Sequence, residues 1–428
     1  MKKHTKRASV ITTLCLVTIF SIPMNVSAAS RTLLYDLSST NAVLDSTKGF
    51  NFLTGAAEDD TGIYIEARTA DDEFPVYYFR GLPNNNVIYG GFCWQILRTT
   101  SLGNIKLIYN GLPSNGQCTA TGTDTNTLND IAYAESNDDM LYGGYVYEID
   151  GEDHDSTAKT ALDEWFEENL AEYEDELADD VWCNRTDWEN NHERVGTVGA
   201  PSNECPDSSA QMSVDEENGN GKLTYPVAMI TADELMFGGA GYNVENHNYY
   251  LTTGNKFHTI TQQSGKKMYY QNSKYALNRT SSLTYATGIR AVIALPHDAY
   301  IRSGNGSKES PYTAVVPKYS VNSLTDAALV DGADDDTLFA EGDVVRIVSN
   351  EGKIGSIVFY DEDGDEVDVE YTINSDGSCS FIMPAINIEF DIKLAPNNPA
   401  THDGIRQTAI AATIFTLAAV IIFVTKRR

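Results

Sequence analysis

Positive charge is scarce in this 428-residue chain, where 30 Lys and Arg stand against 61 Asp and Glu for a formal net charge of −31. A surface this acidic repels phosphate backbones and anionic lipid headgroups, which excludes nucleic acid as a partner and a polybasic mode of membrane attachment. Familiar catalytic signatures are missing too: there is no G-x-S-x-G elbow, no phosphate-binding P-loop and no dinucleotide fingerprint. His192-Glu193 is followed by Gly196 where a second zinc-binding His would have to stand, so no metal pair forms on one helical face. No C-x-x-C occurs, which removes zinc ribbons and thioredoxin-type dithiols. The histidines are scattered, and with 61 acids the proximity of two carboxylates in sequence says almost nothing about hydrolytic chemistry.

What is present is an ordinary globular composition, 42% hydrophobic and 21% charged, in a chain long enough for two or three cores. The ends are the most informative parts. Residues 2–7 (KKHTKR) are basic, residues 8–23 are mostly apolar, and Val26-Ser27-Ala28 puts small residues at cleavage offsets. Residues 1–28 therefore read as a secretory signal peptide, its apolar core being short for an uncleaved anchor. At the other end Thr408 to Val424 carries no charge, and Lys426-Arg427-Arg428 closes the chain. This predicts a transmembrane helix over 405–425 with a cytoplasmic basic tail at 426–428, leaving the bulk of the protein outside the cell.

Six cysteines are present, and Cys15 leaves with the leader. Of the remaining five, Cys93/Cys118 and Cys183/Cys205 are the disulfide candidates of an exported chain, and Cys379 reads as a small buried hydrophobe in a strand. Cys93-Trp94 imitates the nucleophile of papain-like proteases, but the surrounding pattern has strand period and that family's preceding residues are missing.

Between the ends, residues 29–325 read as an α+β ectodomain, mostly antiparallel β with one amphipathic helix and one short capped helix. Val76–Phe79, Val87–Tyr89, Phe92–Arg98 and Ile105–Tyr109 form a β-meander punctuated by Asn84-Asn85-Asn86 and Ser101-Leu102-Gly103-Asn104, with Phe92, Trp94 and Ile96 facing the core. Leu162, Trp165, Phe166, Leu170, Tyr173 and Leu177 recur at helical intervals, and the acids between them are a solvated face. Thr231-Ala232-Asp233-Glu234 is a capping box that starts a short helix, with Ile230 and Leu235 at the staple positions and Gly238-Gly239 at its end. Tyr249–Thr252, Lys267–Gln271 and Gly288–Leu295 complete the expected strands. Five short strands over 337–395 make a small all-β module, followed by a linker at 396–404.

Three resemblances follow from these residues. Asn398-Pro399-Ala400-Thr401-His402, ahead of an apolar helix and a basic tail, resembles the cell-wall sorting signals of Gram-positive surface proteins, with Asn398 in place of the usual Leu and His402 in place of the usual Gly. The resemblance implies that a sortase cysteine attacks the carbonyl of Thr401 and passes it to a cell-wall peptide; a bare membrane anchor behind a Pro/Asn linker is the other option. Glu341-Gly342-Asp343-Val344-Val345 and Phe381-Ile382-Met383-Pro384-Ala385 are similar to internalin B-repeat-type modules, which serve as spacers. Tyr77-Tyr78-Phe79-Arg80-Gly81, Gly91-Phe92-Cys93-Trp94, Leu107-Ile108-Tyr109-Asn110-Gly111 and Gly288-Ile289-Arg290 resemble an uncharacterised ectodomain family of such surface proteins, and the order of elements resembles the C-type-lectin-like fold. The Glu-Pro-Asn and Gln-Pro-Asp triplets of calcium-dependent lectins are absent. The expected function is display at the cell surface of a non-catalytic adhesion or ligand-binding module, its ligand an extracellular glycan or protein; a surface hydrolase acting on glycans is the alternative. No cofactor is expected beyond weak Ca²⁺ binding in the acidic loops 124–155 and 331–336.

Overall fold

The computed structural model describes residues 32–33, 43–44, 49–66, 74–119, 127–136, 144–185, 201–252, 254–263, 267–333 and 337–396. The expected leader 1–28, the sorting-type residues Asn398, Pro399, Thr401 and His402, and the expected span 405–425 lie outside them. Among the described residues no helix is long and apolar enough to cross a membrane.

Strands dominate and helices are few, as expected for the α+β reading. Aromatic and β-branched runs give β1 (Gly62–Ile65), β2 (Tyr77–Arg80), β3 (Asn86–Tyr89), β4 (Phe92–Thr99) and β5 (Ile105–Tyr109), and later β6 (Ala228–Met229), β7 (Ala291–Leu295), β8 (Tyr300–Ser303) and β9 (Tyr312–Val315). With Val43–Leu44 these form a ten-stranded sheet. Its centre is β4, which pairs antiparallel with β3 and β5 and, at Tyr78 with Arg98, with β2. On its other edge β3 pairs parallel with β9, so both edges of β3 are occupied.

Trp94 and Ile96 of β4 face the core as expected, but Cys93, Gln95 and Leu97 on the opposite face are buried too. β4 is covered on both sides, so the alternation of apolar and polar residues along it does not mark a solvated face. On one side Trp165 packs edge-on against Trp94 and Tyr109, with ring centroids 6.5 and 5.4 Å away. Trp165 belongs to α1 (Thr157–Asn169), whose N-cap Ser156 accepts a hydrogen bond from the Lys159 amide at 3.1 Å. The helical periodicity continues past α1 only as a 3₁₀ turn, Ala171–Glu176.

The capping box is formed as expected: α2 (Ala232–Gly238) starts with reciprocal bonds between Thr231 and Glu234, and Gly239, at φ 132°, ends it. Tyr249–Thr252, expected as a strand, is a turn. Tyr249, Tyr250 and Leu251 are all buried in succession, a pattern that an apolar run shares with a buried strand but that here closes a loop over the core. A second head sheet runs Leu277–Arg279, Lys267–Gln271, Phe257–Gln263, Ala286–Ile289 and Leu128–Ala132. The last of these falls in a stretch expected as loop.

The C-terminal module has two sheets packed around Phe359, Phe381, Ile388 and Phe390. Its strands begin earlier than the expected boundary at 337. Tyr319–Ser323 pairs parallel with Ile388–Phe390, and Ala328–Val330 pairs with Ile347–Ser349, so residues 319–325, assigned to the head from sequence, and 326–330, between the two expected domains, belong to the module. Head and module touch where the Tyr300 hydroxyl bonds Asp343 and Arg302 donates to the Glu341 carbonyl at 2.8 Å and to Asp343 at 3.0 Å.

Candidate functional site

Two cavities in the head combine polar groups from distant parts of the chain. The first, of about 220 Å³, lies over the end of β4 and is lined by Glu66, Arg98, Asp180, Asn203, Glu204 and the Cys183–Cys205 disulfide among others. Its charges are already paired. Arg98 Nε donates to Glu234 Oε1 at 2.8 Å, and Glu234 Oε2 accepts from the Thr231 amide at 2.9 Å, so the capping carboxylate also neutralises a buried guanidinium. Burial pushes the Glu234 carboxyl up, but Arg98 and Lys106 nearby and its hydrogen bonds outweigh that and hold it below the usual carboxylate range.

Behind the same cleft Lys106 is buried and donates to the Val181 carbonyl, with its ammonium 4.8 Å from the centre of the Trp182 ring and 3.9 Å from Asp180. Burial and the charge of Arg98 bring this lysine down to about 8, against the opposing pull of Asp180 and Glu234. Asp180 accepts from Asn104 Nδ2 at 3.0 Å and from the Val181 amide at 2.7 Å. Glu66 accepts from the Asn203 amide at 3.1 Å and from its side chain at 2.8 Å; burial raises the Glu66 carboxyl in spite of these bonds and of Arg98. Glu66 and Asp180 each have a fixed protein donor, which is the arrangement of a structural network.

The second cavity, of about 350 Å³, sits on the far side of β3 and β4. Its walls carry amides and tyrosines: Asn85, Asn86, Gln95, Tyr249 and Tyr250, with Ser307, Lys308 and Glu309 on the 304–311 loop. Asn85 and Asn86 are 0% and 3% exposed. Each turns its NH₂ into the protein, Asn85 Nδ2 donating to the Ile96 carbonyl at 2.9 Å and Asn86 Nδ2 to the Gly306 carbonyl at 3.0 Å. A carbonyl can only accept, so these bonds fix which end of each amide is the oxygen. Both Oδ1 atoms are left with no protein donor.

Gln95 is held from both ends. Its Nε2 donates to the Tyr250 carbonyl at 3.2 Å, and its Oε1 accepts from Arg290 Nη2 at 3.3 Å. Arg290 is fully buried, donates to the Tyr109 carbonyl at 2.8 Å and lies 5.2 Å from the Phe257 ring. Burial lowers its guanidinium to about 9, opposed only by neighbouring tyrosines.

The loop over this cavity is set by close packing. At Gly306, φ is +78°, and a Cβ would come within 2.6 Å of the Asn84 carbonyl oxygen and 2.5 Å of the Tyr312 ring. Cys118, bonded to Cys93 of β4, donates its amide to the Lys308 carbonyl at 2.8 Å and so ties the loop to the sheet.

Both expected cysteine pairs are bonded, Cys93 with Cys118 and Cys183 with Cys205, each at a Cα separation of 5.7 Å; Cys379 is free and buried in the module. The Cys183–Cys205 bridge lines the first cavity, and Cys118 bonds the carbonyl of Lys308, which lines the second. Among the described residues no three His, Cys, Asp or Glu side chains gather as metal ligands; of the acidic loops considered for Ca²⁺, residues 124–126, 137–143 and 334–336 lie outside those described. The sequence pattern missed the cavity residues. Asn85 and Asn86 read as turn punctuation, and Gln95 as the solvent side of an alternating strand. No local signal marks any of them, because the partners that bury them come from residues 250, 290 and 306. No protein-family model, no curated protein and no solved structure matches this chain.

Proposed function

We propose that the protein is displayed on the outside of the cell and binds an extracellular ligand through its head without chemically altering it. In this account residues 1–28 direct export, residues 405–425 hold the chain in the membrane, and Asn398, Pro399, Thr401 and His402 offer it to a sortase for linkage to cell-wall peptide. The C-terminal β-module then spaces the head from the envelope. The two disulfides fit an oxidising compartment.

One observation carries the binding function: a cavity of about 350 Å³ walled by Asn85, Asn86, Gln95, Tyr249 and Tyr250, whose three amides are held in place by hydrogen bonds to the Ile96, Gly306 and Tyr250 carbonyls. Such a polar, tyrosine-bearing wall suits a bound ligand and offers no nucleophile paired with a base. Protease treatment of intact cells, followed by a binding screen of the full-length chain against glycans and host proteins, tests it. Loss of the head on treatment and capture of a ligand are the expected results. An intact head, or a purified chain with Met1 retained, goes against it.

A surface hydrolase is the second account, favoured by the raised carboxyl of Glu66 beside Asp180 and Glu204 in the charged cleft. Retaining and inverting glycosidases both need one protonated and one ionised carboxyl. Turnover of a glycan by the full chain, abolished by Glu66→Gln with folding intact, decides for it.

A further inference from the structure

We propose that the Cys183–Cys205 bridge is a thiol–disulfide exchange site for small neutral or cationic thiols, and that it latches residues 201–205 as a strap over the charged cleft. Neither statement depends on what the amide cavity holds.

The two bridges of the head differ in access. Cys93 and Cys118 are 0% and 2% exposed, whereas Cys183 and Cys205 are both partly exposed and both line the cleft of about 220 Å³. Exchange requires a thiolate to reach one sulfur of the bridge, so access decides which bridge reacts first. Among the described residues the free thiol cannot be the reductant: Cys379 lies in the core of the C-terminal module, and burial pushes it up to about 12. The reductant is a thiol from outside. Its thiolate bonds one sulfur as the S–S bond breaks, and the other sulfur leaves as a thiolate and takes a proton. A second thiol then displaces the first from the mixed disulfide, so that two electrons and two protons pass to the bridge and the incoming thiols leave joined as their own disulfide.

Charge selects among thiols. The wall carries the three carboxylates of Glu66, Asp180 and Glu204 against the single guanidinium of Arg98. Behind the wall Glu234 and Asp233 stand against Lys106 and Arg185, which leaves that excess of negative charge unchanged. An anionic thiol is repelled as it approaches, and one that carries its own ammonium is not.

The two cysteines are anchored unequally. Cys183 pairs with Gln211 in a short ladder beside the buried Trp182. Cys205 belongs to residues 201–206, which form no strand and are tied through side chains: the Ser202 amide donates to Asp233 Oδ1 at 3.1 Å, Asn203 donates twice to Glu66, and Gln211 Nε2 donates to the Cys205 carbonyl at 2.6 Å. Between Ser202, Asn203 and Glu204 on one side and Thr231, Asp233, Glu234 on the other is a cavity of only about 10 Å³. A segment held without a ladder belongs to the low-stability end of a fold. Once the bridge opens, Cys183 stays with its ladder, Cys205 moves away, and the small cavity joins the cleft.

The test uses the full-length chain in detergent at pH 7 without denaturant. Cysteamine is added, free thiols are trapped with iodoacetamide at intervals, and peptide mass spectrometry locates them. Cys183 and Cys205 should be labelled at least about tenfold faster than Cys93 and Cys118. Glutathione should open the bridge at least about fivefold more slowly than cysteamine at low salt, each rate divided by that thiol's rate with a small neutral disulfide, and salt at about 1 M should remove most of the difference. Hydrogen exchange at the Ser202 and Asn203 amides should accelerate at least about tenfold on opening, and Cys183→Ser with Cys205→Ser should show the fast exchange with no thiol added. If that variant unfolds, the wild-type measurements decide alone. Equal labelling of the two bridges, labelling of neither, glutathione as fast as cysteamine on that scale, or unchanged amide exchange on opening would each overturn the proposal.

Discussion

Stability of the head should fall between pH 6.5 and 4 because of one buried histidine. His258 is 0% exposed, and its Nε2 bonds the Ile131 carbonyl at 3.1 Å, beside the Tyr133 ring. A carbonyl only accepts, so Nε2 carries the proton and the ring is neutral in the folded state. Burial lowers its pKa from 6.5 to about 4, with the carbonyls of Ile131 and Tyr285 pulling weakly the other way. In the unfolded chain His258 takes up a proton near 6.5, while in the folded state it does so only near 4. Within that window the unfolded state holds the extra proton, so stability is complete above 6.5 and is lost as the pH drops. At about 1.36 kcal/mol per pH unit, the 2.5-unit shift amounts to about 3 kcal/mol. The variant for comparison is His258→Gln, whose amide can still donate to Ile131. Urea unfolding of both proteins at pH 7.5, 6.5, 5.5 and 4.5 should give curves that converge on the acid side, the wild type losing about 2–3 kcal/mol more than the variant. Carboxylates such as Glu234 titrate in both proteins and cancel. Parallel curves would refute the reasoning, since a vertical offset alone reports only the packing cost of the substitution.

Replacing Glu234 by Gln leaves Arg98 buried without its carboxylate and should cost about 3–5 kcal/mol in a urea titration; a cost below 1 kcal/mol would mean that Arg98 finds other compensation. The double change Cys93→Ser with Cys118→Ser opens a link between residues 25 apart in sequence and should destabilise by about 3.5 kcal/mol on the chain-entropy account. In the same variant the Cys118 amide, which donates to Lys308, should exchange its hydrogen markedly faster in the native state; unchanged exchange would show that the loop is held without the bridge. Gly306→Ala places a Cβ in left-handed backbone against the Asn84 carbonyl and should cost at least about 1–2 kcal/mol, read as a lowered thermal midpoint, and an unaltered midpoint would contradict the close approach.

Much of the fold was legible where the signal is local. The four strands of the meander, the capping box at Thr231 and the strands from Val344 to Leu394 follow from residues within a few positions of one another. Sequence also announced Glu234, but only half of its role: the bond to the Thr231 amide is local, whereas Arg98 lies 136 residues away and arrives through the sheet. Gln95 shows why alternation failed on β4. A polar residue between Trp94 and Ile96 looks solvent-facing unless it is known that Tyr250 and Arg290 cover that side. The boundary between head and module slipped for a related reason, since the first strand of the module, Tyr319–Ser323, finds its partner some 65 residues later at Ile388.

Residues of both cavities carry buried polar atoms that the chain leaves without a partner, Asn203 Oδ1 and Thr100 Oγ1 at the charged cleft and the Oδ1 atoms of Asn85 and Asn86 at the amide cavity. In the charged cleft the charged groups Arg98, Asp180 and Glu66 each have a partner within the chain. In the amide cavity the oxygens of Asn85 and Asn86 remain without donors, at about 1–3 kcal/mol each. A fold retains such a penalty only where surrounding interactions outweigh it, and those nearest are the Cys93–Cys118 bridge, the Cys118–Lys308 backbone bond and the Gln95–Arg290 clamp. They hold the two amides in place, with both Oδ1 atoms closed off inside the wall. Turning the amides over would not relieve the penalty, because both NH₂ groups are committed to the Ile96 and Gly306 carbonyls and a flip would set oxygen against oxygen there.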